Sequence, residues 1–74
     1  MSAWYETCVV VAGQVRDVIV RGNRQGAVRQ IEELKSRWPE AEMVFVRQHG
    51  HKSPTGNPTF RVLHKLTWKR EIAA

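Results

Sequence analysis

"WYETCVVVAGQVRDVIVRG", Trp4 to Gly22, is the stretch on which the fold turns. Strand-forming valines and an isoleucine lie on either side of Gly13-Gln14, and glycine first in a two-residue loop suits a type II′ turn. The stretch reads as a β-hairpin with strands over 4–12 and 15–22 and Ala12 opposite Val15. Counting outward from that pair puts Tyr5, Thr7, Val9, Val11, Arg16, Val18 and Val20 on one face. Trp4, Glu6, Cys8, Val10, Asp17, Ile19 and Arg21 take the other, with Glu6 opposite Arg21 as a pair that helps pin the register. The valine-rich face is the expected core.

Downstream the period changes from two to about 3.6. Asn23 offers an N-cap, and Ala27, Val28, Ile31, Leu34 and Trp38 recur at three- and four-residue intervals. Arg29, Gln30, Glu32, Glu33 and Arg37 take the opposite side, with Glu33 and Arg37 placed as an i,i+4 pair. The pattern predicts a helix over 24–38, ended by Pro39, because proline disfavours the α conformation in the residue before it. A charge-balanced helix with no helix before it is a packing element rather than a DNA-recognition helix.

"EMVFVRQHGHKSPTGNPTFRVLHKLTWKRE", Glu42 to Glu71, reads as a second hairpin: strand 43–50, loop 51–58, strand 59–70. On its descending arm Phe60, Val62, His64, Leu66 and Trp68 share one face. Arg61, Lys65 and Lys69 share the other as a basic ladder. The expected fold is α+β, in ββαββ order: a four-stranded, mostly antiparallel sheet with one helix packed on one face. Either the first and third strands or the second and fourth are then neighbours. Val9, Val11, Val18, Val20, Phe45, Leu66 and Trp68 are expected under the helix, and Arg61, Lys65, Lys69 and Trp4 on the open face. A helix of about fourteen residues reaches roughly 21 Å, whereas the second hairpin has roughly 30 Å or more of strand. It is therefore expected to project as an arm, with Pro54, Pro58, Gly50 and Gly56 forming its tip.

Charge is distributed unevenly along the single domain that 74 residues can make. Residues 1–42 hold six Lys/Arg and six Asp/Glu, so the net +5 comes wholly from residues 43–74. There Arg47, Lys52, Arg61, Lys65, Lys69 and Arg70 face only Glu71, and all three histidines lie in the same segment. Such asymmetry points to a polyanion-facing surface. The only cysteine, Cys8, excludes an intrachain disulfide and a cysteine-based zinc site. The longest apolar run, Cys8 to Ala12, is too short to cross a bilayer, so the expectation is a soluble, cytoplasmic protein. A core this thin also favours homodimerisation.

Motifs for chemistry fail on inspection. "GHKS" (50–53) lacks the earlier glycine of a phosphate loop and has Pro54 where a helix should begin. "NPT" (57–59) has proline where a glycosylation acceptor forbids it. His49, His51 and His64 find no carboxylate or thiol nearby in sequence to complete a metal shell, and Cys8 fits a strand better than a nucleophile. No enzyme, cofactor or metal is expected. The first functional expectation is a nucleic-acid-binding module, with RNA and DNA undistinguished. Arg47, Lys52, Arg61, Lys65, Lys69 and Arg70 would meet phosphates, and Trp4 would serve as a stacking platform. An open four-stranded sheet resembles the face some RNA-binding domains present, although the chain lacks their aromatic sheet motif. Two alternatives stand beside it. One is a small accessory or inhibitor protein, of the kind phages and plasmids encode, docking on an acidic protein surface. The other is a homo-oligomeric structural subunit.

Overall fold

The computed structural model describes residues 3–52 and 58–71; for residues 51, 52, 58 and 59 the description covers the backbone alone. The proline- and glycine-rich tip, 53–57, lies outside the described residues. In chain order the elements are β1 (Trp4–Val11), β2 (Gln14–Arg21), α1 (Arg24–Arg37), β3 (Met43–Lys52) and β4 (Pro58–Val62). A 3₁₀ turn (His64–Leu66) and β5 (Trp68–Lys69) complete the chain. All strand pairs are antiparallel, in the order β2-β1-β3-β4, with β5 also on β3. The first and third strands are thus the neighbours. Among the described residues no helix is long and apolar enough to cross a membrane.

The first hairpin differs from expectation in two ways. Its turn is Ala12-Gly13, not Gly13-Gln14, with φ of 52° and 76°. Two successive positive φ values define a type I′ loop, whose twist matches that of the flanking strands. Pairing then runs Val11↔Gln14 and Val10↔Val15, but Val9 lies opposite Asp17, so Arg16 is an extra residue in β2. Moving the turn leaves the faces unchanged, because it shifts the pairing by an even count. The bulge shifts it by one and exchanges the faces of β2. Ile19 consequently lies beside Thr7 under the helix, while Val18 and Val20 face the open side, Val20 at 53% exposure. Glu6 falls opposite Val20, and Tyr5 takes Arg21.

Helix α1 forms much as its pattern predicts. The Asn23 side chain accepts the Gly26 N–H at 2.7 Å, and Arg37 reaches Glu33 at 2.9 Å. Gly26 admits the first turn close to β2: a Cβ there would stand 3.1 Å from Asn23 Oδ1 and 3.4 Å from the Arg21 side chain. The Thr7 hydroxyl donates to the Ala27 carbonyl at 2.9 Å in the interior, which ties the helix to β1. At the other end Arg37 and the Trp38 indole both donate to Asp17 on β2, at 3.0 and 3.3 Å. The Arg37 hydrogen bond, chiefly, holds the Asp17 carboxyl below the usual carboxylate range.

Val9, Leu34, Ala41 and Val44 form the buried core, with Val11, Ile19, Ile31, Trp38 and Trp68 packed around it. Full burial of a Val or Leu side chain contributes about 1.5–3 kcal/mol, so these few residues carry much of the fold. Val28, expected inward, is instead exposed. Phe45 is also displaced from its expected place: it pairs with Cys8, so Val44 and Val46 point to the helix and Phe45 to the open face.

The expected strand 59–70 is interrupted. Val62 lies opposite Arg47 and Trp68 opposite Val44, so six residues on one side answer three on the other. The 3₁₀ turn absorbs the difference, and the Leu63 N–H stays tied to β3 by donating to Val46 O at 2.8 Å. Three extra residues, an odd number, exchange the faces once more. Phe60 and Val62 therefore face the open side while Trp68 packs in the core, and Leu66 sits in the turn.

Candidate functional site

The same register accounts for what the open face displays. Trp4, His49 and Phe60 are directly opposite one another on β1, β3 and β4, the three strands that meet at the arm end of the sheet. The Trp4 and His49 rings stack at 3.9 Å with 7° between planes, and Phe60 follows at 6.0 Å with a 36° tilt. The row ends in two open rings, Trp4 at 40% and Phe60 at 61% exposure. Stacked and tilted rings of this kind are in attractive contact, and exposed aromatic faces invite further stacking.

Arg47 lies beside the row, its guanidinium 5.6 Å from the Phe60 centroid and 5.8 Å from that of Phe45. Glu6 is the acid of this patch. Its carboxylate contacts His49 and lies 3.6 Å from Arg47, whose guanidinium answers its charge. Beneath them Cys8 is fully buried between Val18 and Phe45, and that burial pushes its thiol pKa up, although Arg47 pulls the other way. A buried, protonated thiol is a packing group rather than a nucleophile.

The basic ladder does not exist as a ladder. Arg61 lies opposite Gln48 on the helix side of β4, Lys65 sits in the 3₁₀ turn, and Lys69 lies opposite Met43 on the open side. Lys69 and Arg70 are at the far end of β3 from Arg61, roughly 16–20 Å away at strand spacing. There Lys69 borders a cleft of about 400 Å³ with Val10, Glu42, Met43 and Arg70. Arg70 is structural: Nε donates to Ala41 O at 2.9 Å, Nη2 to Pro39 O, and the guanidinium lies 5.7 Å from the Trp68 ring. Lys52 pairs through its backbone with Pro58 on the arm.

In place of the ladder, Arg61 and Lys65 come together with Arg24 and His64. These four line a cleft of about 410 Å³ floored by Val62 and Leu63, between the start of α1 and the β4 edge. All four are exposed, and none of Arg24, Arg61 and Lys65 enters an ion pair among the described residues. The first turn of α1 holds no acidic residue, so the positive end of the helix adds to the same field. A smaller depression of about 180 Å³ is lined by both Phe60 and Arg61, with Gln48 and Gly50, at the edge between the two faces.

Of the expected site residues, Trp4 and Arg47 belong to the aromatic row and Arg61 and Lys65 to the cleft. The sequence pattern does not single out His49, Phe60, Arg24 or His64 for this surface. For the first two a signal exists: both sit on predicted strands, and counting β3 against Trp4 rather than against the apolar residues brings them together. No family model matches the chain, and neither does any curated protein or solved structure.

Proposed function

We propose that this chain is a small, non-enzymatic nucleic-acid-binding module that takes a single strand at the arm end of its sheet. Bases stack on the open rings of Phe60 and Trp4, and phosphates cross the β4 edge to Arg61, Lys65 and Arg24. The observation that carries this reading is an exposed aromatic row on one side of an edge strand, with a cluster of cations on the other that enter no ion pair among the described residues. The β3–β4 hairpin then serves as an arm. Ten residues of β3 extend roughly 33 Å, against roughly 21 Å for α1, and Lys52 lies along the surplus.

Base–aromatic stacking is worth about 1–3 kcal/mol per base. Phe60→Ala and Trp4→Ala are each expected to weaken binding of a labelled mixed-sequence 10-mer by about 5- to 100-fold in fluorescence anisotropy. The melting temperature should change little, since both rings are exposed. Unchanged affinity in both variants would remove the open face from the site.

One observation favours the protein-docking alternative. Val15, Val18 and Val20 are exposed along β2, the other edge of the sheet. That apolar strip suits a second protein surface better than a phosphate backbone. It lies on the strand farthest from β4, so the two readings predict different surfaces.

A further inference from the structure

The cleft at the β4 edge differs from a track for backbone phosphates in shape and in charge. At about 410 Å³ it falls near the lower end of the roughly 300–1,000 Å³ found for small-ligand sites. That is room for one terminal nucleotide of a strand. Its polar lining among the described residues is Arg24, Arg61, His64 and Lys65, with no carboxylate, while Val62 and Leu63 offer an apolar floor for a sugar or base. Elsewhere several described arginines hold internal partners: Arg21 the Val20 carbonyl, Arg37 Asp17 and Glu33, Arg47 Glu6, and Arg70 the Pro39 and Ala41 carbonyls.

Three cations gathered at the head of a helix, with no ion-pair partner among the described residues, describe a site able to take more than one negative charge. A phosphodiester carries a single charge. A phosphate monoester carries about −1.5 to −2 at neutral pH and has three free oxygens to share among guanidinium and ammonium donors. We infer that the Arg24–Arg61–His64–Lys65 cleft binds a phosphate monoester, presented by the phosphorylated end of the strand whose neighbouring bases stack on Phe60. This rests on the nucleic-acid reading and narrows it to strands with a terminal phosphate. Arg61 and Phe60 are consecutive on β4 and point to opposite faces, so an end anchored at Arg61 places the following bases at the aromatic row.

The test compares three probes on the intact chain: a 5′-phosphorylated 10-mer, the same 10-mer with a 5′-hydroxyl, and a free nucleoside 5′-monophosphate. The phosphorylated strand is expected to bind at least about fivefold tighter than its hydroxyl twin, from the added charge of about −1.5 to −2 near several cations. That ratio should fall to one in Arg24→Ala/Lys65→Ala. It should persist in Trp4→Ala, which weakens both strands alike. Equal affinity for the two strands, with both binding well, overturns the monoester site and leaves the nucleic-acid reading standing. If neither strand binds, the nucleic-acid reading is overturned. Saturable binding of the nucleoside monophosphate, abolished in Arg24→Ala/Lys65→Ala, then keeps the monoester site as a mononucleotide site, and its absence overturns that as well.

Discussion

Leu34→Ala is expected to cost about 2–5 kcal/mol in urea denaturation. Leu34 is fully buried where α1 meets the sheet, against Val9, Ala41 and Val44, and truncation leaves a cavity that a sheet and a single helix have few ways to close. A chain of 74 residues has about 4–11 kcal/mol in total at ordinary values per residue. The variant should therefore lose a large share of its stability and unfold at a clearly lower urea concentration. The β2 pair Ile19→Ala and Val20→Ala sharpens the experiment. Ile19 packs on the helix side and should cost about 1–3 kcal/mol, whereas Val20 is exposed on the other face and should stay within about 0.5 kcal/mol. The reverse ranking would restore the unbulged hairpin and with it the opposite assignment of faces.

Reversing Arg24, Arg61 and Lys65 together to Glu is expected to weaken oligonucleotide binding by about a hundredfold or more at low salt. The slope of log affinity against log salt should fall, by roughly 0.7 for each single-strand phosphate that the variant no longer neutralises. Folding should survive, because all three side chains are exposed and enter no ion pair among the described residues. The matching reversal of Lys69 is a control with a definite expectation. It stands near the opposite end of β3 and should leave the slope within error. A slope that responds to Lys69 and ignores the cleft would place the strand at the wrong end of the sheet.

How much of this is legible in the sequence depends on what a two-residue period can count. The element order as far as β4, the Asn23 cap, the Glu33–Arg37 pair and the inward faces of β1 and of most of α1 follow from local pattern, and the structure agrees with each. The face of β2 does not, because Arg16 interrupts the count with nothing in its own chemistry to announce a bulge. On β3 the run Met-Val-Phe-Val is apolar at every position, so alternation gives no phase. Size alone then favours Phe45 for the core, where the structure puts Val44 and Val46. The break at His64–Leu66 has the same character: Arg-Val-Leu-His-Lys-Leu alternates well enough to read as strand, and the turn is set by how β5 must meet Val44.

These differences of register carry through to the surface. The phase of β3 and the three extra residues between β4 and β5 turn an expected basic ladder into an aromatic row on one face and a basic cleft on the other, while the extra residue in β2 leaves its valines on the open face. The charge asymmetry, which needs no register, points to the C-terminal segment. Arg24 joins the cleft through the tertiary fold alone, since the docking of α1 on the sheet, tied at its first turns by Thr7, brings the helix start to the cleft.

The most direct test of the binding surface is a residue-resolved map of amide shifts as a phosphorylated single strand is titrated into labelled protein. Progressive, saturable changes are expected at Trp4, His49, Phe60, Arg61 and Lys65, with the amides of Gln14 to Arg21 on β2 unmoved. Changes confined to β2, or none at saturating strand, would contradict the proposed site.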